Sequence, residues 1–481
     1  MTEETQDAPA SGAARSAKLK PPFRSPSPKT AVILVHGMGE QRPMETLWGF
    51  VKAAWVHNPD SGAAIRNDVF SQPSVIPGNY ELRRITTRYA ALDEGKDRRV
   101  DFFEFYWAHM MTGNTVRGLT GWLGSLFLRA PGSVPKQLMG FWLTGVLLYL
   151  LTAAFLAIAA AKAAGIELLE AAGLPQAGAA GWYTAAAVVA FLAGWLATLV
   201  TPVAGDAARY LSPDPDNVEA RQKIREAGVD LIQRITNNGY HDRIVLVGHS
   251  LGTVIAYDIL THAWGTLTQT QWFSLYGGDT AANLQLSAKL EAVELAAAHV
   301  ATDQAAFRAS QRSWFAALNA AAIERGVSSP WIVSDLVTLG SPLSKANVLM
   351  ARNEGLFDEK RNRLEFPSCP PKFETKDDPA DPDRFSFVRA DPAKRLPNTG
   401  AVFSAVVWTN VWFPSLLVVF GDFVSGPVSR LFGGGVRDIE IPLAFPRFRH
   451  LDYWKDPEAS DEKAPWLMAL RQAINLRRVD N

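Results

Sequence analysis

The feature that most constrains the fold of this 481-residue chain is the pentapeptide at residues 248–252, GHSLG. An apolar run at residues 244–247 (IVLV) precedes it and predicts a buried strand, and the helix-like residues that follow contain no breaker. Gly248 and Gly252 leave room for the backbone to fold back, so that the serine Oγ projects from a strand-to-helix turn. The sequence therefore predicts that Ser250 is a nucleophile, and the alternative is a chance turn.

Composition excludes several other kinds of protein. The 48 basic and 48 acidic residues balance, and no basic tract is interleaved with aromatic residues, so nucleic acid is not expected as a partner. The single cysteine, Cys369, excludes an internal disulfide. Residues 1–29 lack the apolar core of a signal peptide and predict a disordered tail. We expect no cofactor and no metal, because the histidines lack the spacing of a zinc site.

Two long uncharged stretches within residues 136–205 predict a transmembrane hairpin. The first span, residues 138–161, would be about 36 Å long as a helix, which is sufficient to cross a bilayer core. The second, residues 181–203, is alanine-rich, so a pair of long buried helices is the alternative. Lysine and arginine are more frequent outside the hairpin than in its loop, and this distribution predicts an integral membrane protein whose body faces the cytoplasm.

A second apolar run, residues 31–35 (AVILV), ends in His36 and Gly37. The order of a strand, an HG loop, a helix, a later strand and the GHSLG turn resembles the α/β-hydrolase superfamily, in its lipase- and esterase-like branch. The resemblance implies an α/β-hydrolase fold, a mostly parallel sheet flanked by helices, into which the two-helix hairpin is inserted. It also implies an oxyanion hole formed by the backbone N–H groups of Met38 and Leu251, and a structural role for His36.

The same resemblance implies that the catalytic residues follow the order serine, acid, histidine along the chain. Of the histidines after Ser250, His262 lies in the helix behind the turn and His299 lies in an alanine-rich helical segment. His450 follows the strand-like residues 436–442, in a string HLDYW that is similar to the H-x-x-Y-W around the histidine of lipase-like hydrolases. We therefore predict His450 as the base, and a solvated loop histidine is the alternative.

The acid that orients the histidine should follow the penultimate strand, which we predict at residues 402–409 (VFSAVVWT). Asp422, in the segment GDFVSGP, is the only acidic residue between that strand and Asp438. Asp422 is therefore the predicted acid, and Asp438 is the fallback. The apolar residues 415–420 lengthen the connection from the strand to Asp422.

These elements predict a hydrolase domain in two parts, residues 30–135 and 206–481, separated by the hairpin. The second part includes a predicted helical cap over residues 265–330 and an irregular excursion over residues 351–399, which is dense in charge and proline. Two further buried strands are predicted at residues 100–107 and 332–339.

The resemblance implies a membrane-anchored serine hydrolase that cleaves a carboxylic ester or related acyl bond. Ser250, His450 and Asp422 would form the catalytic triad, and the reaction would pass through an acyl-enzyme. Anchoring beside a bilayer favours a lipid-like substrate. Two alternatives are an acyltransferase that uses the same acyl-enzyme and a catalytically inactive, hydrolase-like membrane scaffold.

Overall fold

The apolar runs of the sequence form the centre of an eight-stranded sheet in the computed structural model of the chain. Of the predicted N-terminal tail, residues 1–21 lie outside the described residues, and Ser25 N–H donates to Gly239 O at 2.8 Å. The described residues are 22–37, 43–58, 69–74, 83–87, 99–111, 131–133, 136–163, 210, 215–277, 279–351, 353–373, 384–388, 393–416, 420–443, 447–455 and 464–476.

The strands divide into one large sheet and two small antiparallel pairs. The described strands are β1 (Lys29–Val35), β2 (Val69–Pro73), β3 (Arg83–Thr87), β4 (Val100–Phe105), β5 (His241–His249), β6 (Val333–Leu339), β7 (Ser386–Val388), β8 (Arg395–Pro397), β9 (Val407–Trp412), β10 (Ser415–Leu416), β11 (Phe420–Gly421) and β12 (Arg437–Glu440). The large sheet has the order β12-β9-β6-β5-β1-β4-β3-β2. Its strands from β12 to β4 are parallel, whereas β3 pairs antiparallel with both β4 and β2.

Helices cover both faces of this mixed sheet, as expected for an α/β protein. The described α-helices are α1 (Glu45–Val51), α2 (Lys136–Ala163), α3 (Pro215–Asn237), α4 (Leu251–Leu275), α5 (Thr280–Ala298), α6 (Gln304–Glu324), α7 (Ala346–Leu349), α8 (Glu354–Asn362), α9 (Ser429–Phe432) and α10 (Pro465–Ile474).

The central strands are buried on both faces, which explains why they are continuous apolar runs in the sequence. On β1, Ile33 packs in a core with residues of α3 to α6, such as Leu260 of α4. Its neighbours Val32 and Leu34 point the other way, into a second core that includes Leu470 of α10. Successive side chains of a strand alternate between the faces of a sheet, so each buried strand joins the two cores.

Most of the predicted strands are confirmed, because long apolar or alternating runs specify a strand locally. The confirmed predictions are residues 31–35 (β1), 100–107 (β4), 244–247 (β5), 332–339 (β6) and 436–442 (β12).

The strand predicted over residues 402–409 is only partly correct. Its first residues, Val402–Ser404, form a 3-10 turn, and β9 begins at Val407. Both the backbone N–H and the hydroxyl of Ser404 donate to the carbonyl of Ala401, at 2.9 and 2.7 Å. Serine side chains often compete for local backbone groups in this way, and here the competition stabilises a turn instead of a strand.

The predicted transmembrane hairpin is not supported. Residues 138–161 are helical, within the 28-residue helix α2. However, in the part of the chain that the structure describes, no helix has both the length and the apolar character needed to cross a membrane. The second predicted span, residues 181–203, lies outside the described residues.

The predicted cap over residues 265–330 consists of the end of α4 followed by α5 and α6. Gln311 of α6 donates to Phe403 O at 2.6 Å and to Val406 O at 2.8 Å, just before β9 begins. These bonds hold α6 against the flank of the sheet. The excursion at residues 351–399 contains α8 and the small sheet formed by β7 and β8.

The first turn of α4 lies directly against the end of β1. A Cβ atom at Gly252 would lie 2.2 Å from Val35 O and 2.4 Å from His36 O. Real Cβ atoms do not approach backbone oxygens so closely, so a side chain at this position must push α4 away from β1.

We therefore predict that Gly252→Ala lowers the free energy of unfolding by about 1–3 kcal/mol. Gly265→Ala, in the same helix, is the matched control, because a Cβ there meets nothing within 4 Å. The control should be neutral or stabilise the protein by up to about 1 kcal/mol, as alanine is the better helix former. Urea unfolding measures both, and equal stability of the two variants would contradict the close packing of α4 on β1.

Candidate active site

Ser250 lies on a sharp turn between β5 and α4. Its φ of 52° and ψ of −129° fall outside the regions that residues with a side chain normally adopt. The turn is held by two backbone hydrogen bonds, from Ser250 N–H to Leu339 O at 3.0 Å and from Thr253 N–H to Ser250 O at 3.0 Å. The turn requires glycine at position 248, because a Cβ there would lie 2.6 Å from Gly252 O. The predicted strained elbow is therefore present.

The structure brings together the three predicted catalytic side chains, although Ser250 and His450 are 200 positions apart in the sequence. His450 Nε2 lies 2.8 Å from Ser250 Oγ. Its Nδ1 lies 3.0 Å from each carboxylate oxygen of Asp422. A carboxylate at Nδ1 favours the tautomer protonated there, which leaves Nε2 free to accept the serine proton. The arrangement can therefore generate a nucleophilic serine.

Asp422 is fully buried but accepts several hydrogen bonds. Its Oδ1 accepts from the N–H groups of Val424 and Ser425 at 3.0 and 3.3 Å, and its Oδ2 accepts from the Tyr453 hydroxyl at 2.7 Å. Burial raises the pKa of Asp422, but the charge and hydrogen bond of His450, the Tyr453 hydroxyl and the charge of Lys345 together outweigh burial and lower that pKa to about 2. The carboxylate is therefore ionised at neutral pH and can stabilise a charged imidazole.

The apolar insertion before Asp422 has a clear structural role. It contains the antiparallel strands β10 and β11, so the chain turns back towards the end of β9 before reaching Asp422. Gly421 N–H then donates to Arg447 O at 2.8 Å, and Arg449 N–H donates to Gly421 O at 2.9 Å. These two bonds fix the segment that carries Asp422 beside the segment that carries His450.

His249 supports the site in a way that the sequence did not predict. Its Nε2 lies 2.8 Å from the backbone carbonyl of His450, to which it donates, and its ring packs edge-on against Trp454 with centroids 4.7 Å apart. Burial, followed by the nearby charge of His450, lowers the pKa of His249 to about 3, so the ring is neutral. The middle positions of a G-x-S-x-G motif are variable, and they give no signal of this long-range contact.

Lys345 is a second residue near the site that the sequence analysis missed. Its buried Nζ donates to Val424 O at 2.8 Å and to Ser425 O at 2.9 Å, which are in the turn that surrounds the Asp422 carboxylate. Burial lowers the pKa of Lys345 to about 8, although the charge of Asp422 opposes the shift. Lys345 therefore helps to hold this turn in place.

Of the two backbone N–H groups predicted to form the oxyanion hole, the structure describes that of Leu251. It is the first residue of α4, and the first N–H groups of a helix have no acceptor within that helix. The other predicted donor, Met38, lies outside the described residues. Gly37, the residue before it, approaches the nucleophile so closely that a Cβ there would lie 3.0 Å from Ser250 Cβ. The end of the HG loop is therefore next to Ser250.

His36 has surroundings that suit the predicted structural role. Its ring stacks on Trp107 at an interplanar angle of 12°, and its Nδ1 lies 2.8 Å from Gly37 O. Burial lowers the pKa of His36 to about 4, which keeps the ring neutral at pH 7. No described contact joins His36 to His450.

The fallback acid and the other histidines lie elsewhere. Asp438 accepts from the Asn410 side chain at 2.7 Å and from the Val428 N–H at 2.9 Å, and none of its described contacts is with His450. His262 is bonded to the carbonyl of the preceding turn of α4, and His299 is exposed at the end of α5.

Two of the three side chains of the site are almost fully buried. Ser250 and His450 are each only 2% exposed.

Comparison with protein-family models, with curated proteins and with solved structures found no match to this chain. The function is therefore inferred from the residues of the site and their geometry.

The neutral buried histidines make the stability of the fold dependent on pH. A histidine in the unfolded chain has a pKa near 6.5, well above the values of about 4 for His36 and about 3 for His249. Below about pH 6.5 the unfolded state therefore binds more protons than the folded state, so the free energy of unfolding falls as the pH falls.

We predict that lowering the pH from 7 to 4.5 costs about 2–3 kcal/mol of stability through His36 alone. His36→Asn removes the titrating group and keeps a donor towards Gly37 O, so the variant should lose less stability over this range than the wild type. His299→Asn, at an exposed position, is the control and should leave the pH dependence unchanged. Urea unfolding at both pH values measures the difference, and identical losses in wild type and His36→Asn would contradict a buried neutral His36.

Proposed function

We propose that the chain is a serine hydrolase of the α/β-hydrolase type that cleaves carboxylic esters or related acyl bonds. The observation that carries the proposal is the continuous hydrogen-bond chain from Asp422 through His450 to Ser250 Oγ. The strained conformation of Ser250 and the order of the three residues along the chain support the same reaction class.

In the first step, Ser250 Oγ attacks the acyl carbon while its proton passes to His450 Nε2. The carbonyl π electrons move to the oxygen, which becomes an oxyanion. The Leu251 N–H and the positive end of α4 can stabilise this charge, and one such donor contributes about 3–4 kcal/mol to transition-state stabilisation. The Asp422 carboxylate stabilises the imidazolium that forms at the same time.

In the next step, the oxyanion re-forms the carbonyl and the bond to the leaving alcohol breaks. His450 returns its proton to that alcohol, so the acyl group remains on Ser250 Oγ. A water molecule then attacks the acyl carbon with His450 as the base, which releases the carboxylic acid and restores the serine hydroxyl. No contact among the described residues favours an acyltransferase, and the intact hydrogen-bond chain argues against an inactive scaffold.

We also propose that the protein associates with a membrane and acts on a lipid-like substrate. Support comes from a stripe of exposed leucines on α2, in which Leu143, Leu147 and Leu150 are each more than half exposed. Residues spaced by three and four positions lie on one side of a helix, and exposed apolar patches mark contact with a partner or a bilayer. The cytoplasmic orientation stays a prediction from the charge distribution of the sequence.

Sedimentation of cell membranes at neutral pH and moderate ionic strength tests this association. We expect the wild-type protein to remain with the membranes, and the double variant Leu147→Glu/Leu150→Glu to be released, because two charges disrupt the apolar stripe. Leu284→Glu, at an exposed leucine of α5, is the matched control and should behave as the wild type. Recovery of the wild-type protein in the supernatant would contradict the membrane association.

For the catalytic proposal, we predict that Ser250→Ala abolishes labelling by a fluorophosphonate probe and lowers hydrolysis of short p-nitrophenyl esters by at least about 10³-fold. Ser310→Ala is the matched control, because the one hydrogen bond of its hydroxyl among the described residues is to Phe307 O, within α6, and it should keep full activity. Labelling that persists in Ser250→Ala would exclude this residue as the nucleophile.

Two histidine variants are compared in the same assay. His450→Ala should lower the rate as severely as the serine substitution, because no other described imidazole contacts Ser250 Oγ. His299→Ala, at the exposed end of α5, should match the wild type. Full activity in His450→Ala would contradict the triad, even if Ser250 is labelled.

A further inference from the structure

A cavity of about 350 Å³ lies at the edge of the sheet opposite the candidate active site. It is lined by residues at the amino ends of β5 and β6, at the end of α3 and on one side of α6. Ser250 follows the carboxyl end of β5, which is nine residues long. At about 3.3 Å per residue, the residues of β5 that line the cavity, His241 to Arg243, are about 20–30 Å from the nucleophile, so the cavity is not part of the same site.

Apolar side chains form much of the cavity wall. Phe23 lies before β1, Phe315 and Ile323 lie on α6, and Ile332 precedes β6. The volume equals that of about twelve water molecules and falls at the lower end of the range for small-molecule sites. The cavity therefore suits the hydrocarbon or aromatic body of a small molecule.

A cluster of charges lies at the polar side of the cavity. Asp335 is buried and accepts from Arg243 at 2.6 Å and from Arg312 at 2.9 Å. All three nitrogens of Arg243 are occupied, since it also donates to Ser334 Oγ and Asn475 O. One carboxylate therefore faces two guanidinium groups, so this cluster of three side chains keeps one excess positive charge.

Two arginines in the cavity wall keep donors for a ligand. In the part of the chain that the structure describes, Arg312 donates only to Asp335, and Arg24 donates only to Val327 O, at 2.6 Å. Asp242 also lines the cavity. Among the described residues of the cavity and the cluster beside it, the three arginines Arg24, Arg243 and Arg312 face the two aspartates Asp242 and Asp335, so arginine exceeds aspartate by one.

We propose that this cavity is a second binding site, for a small carboxylate that carries one negative charge and an apolar body. A guanidinium group binds a carboxylate through two parallel N–H donors, and Arg24 and Arg312 both have donors available. The apolar body packs against Phe315 and Ile332. A phosphate ion fits less well, because it carries more charge than the excess and gains nothing from apolar walls. The proposal does not depend on catalysis by Ser250.

Because the cavity exists only in the folded chain, a ligand bound there raises the melting temperature. Isothermal titration calorimetry and thermal unfolding of the full chain with 4-phenylbutyrate test the proposal, and 4-phenylbutyramide and inorganic phosphate are the comparison compounds. We expect one site for the acid and a melting temperature that rises with its concentration. The neutral amide should bind at least about 10-fold more weakly, because it loses the charge-assisted hydrogen bonds.

Two pairs of variants test whether the acid binds in this cavity or elsewhere on the protein. Ala316→Phe places a ring in the cavity and should abolish binding, whereas Ala320→Phe, also exposed on α6 but outside the lining, should bind as the wild type. Arg24→Gln should weaken binding by about 5- to 10-fold, and Arg430→Gln, which removes an exposed charge on α9, should not.

Three results would overturn the proposal. They are equal affinity for the acid and the amide, heat of binding from phosphate alone, and unchanged binding in Ala316→Phe. Fluorophosphonate labelling of Ser250 in the same preparations reports separately on the proposed hydrolase function, so failure of one proposal does not imply failure of the other.

Discussion

The close contact of α4 with the end of β1 determines the arrangement of the whole candidate site. Gly252 lies against the carbonyl groups of Val35 and His36, at distances that no side chain allows. This contact places the amino end of α4 beside the HG loop, so the Leu251 N–H and Gly37 both lie next to Ser250. The histidine segment then packs on the same turn, through the hydrogen bond from His249 to His450 O.

The second condition for the site is a fully satisfied buried carboxylate. Removing a charge from water is costly unless hydrogen bonds replace the lost hydration. Asp422 meets this requirement with four donors, the imidazole of His450, the hydroxyl of Tyr453 and two backbone N–H groups. Loss of any one donor leaves a buried charge underbonded. Positions far apart in the sequence therefore depend on one another for a stable geometry.

Local patterns in the sequence were sufficient to predict the central strands and to select the three side chains that meet in the candidate site. A continuous apolar run specifies a buried strand, and Ser250, Asp422 and His450 were found because each follows a strand end in the required order. Features that depend on distant contacts were missed, such as the roles of His249 and Lys345 and the hairpin of β10 and β11. The strand predicted over residues 402–409 was partly wrong because Ser404 hydrogen-bonds locally and forms a turn. The transmembrane hairpin was predicted from uncharged stretches alone, and the structure does not support it.

The burial of Ser250 has a kinetic consequence. A substrate carbonyl must approach within about 3 Å of Oγ to react, yet both Ser250 and His450 are almost completely covered in this conformation. If the chain is the proposed hydrolase, the side chains around Ser250 must move apart to admit an acyl group. In that case the apparent affinity for substrate would be reduced in proportion to the fraction of molecules that are open, and the maximum rate would be limited by the slower of opening and acyl transfer. A bulky substrate that keeps these side chains apart would raise the population of its own reactive state.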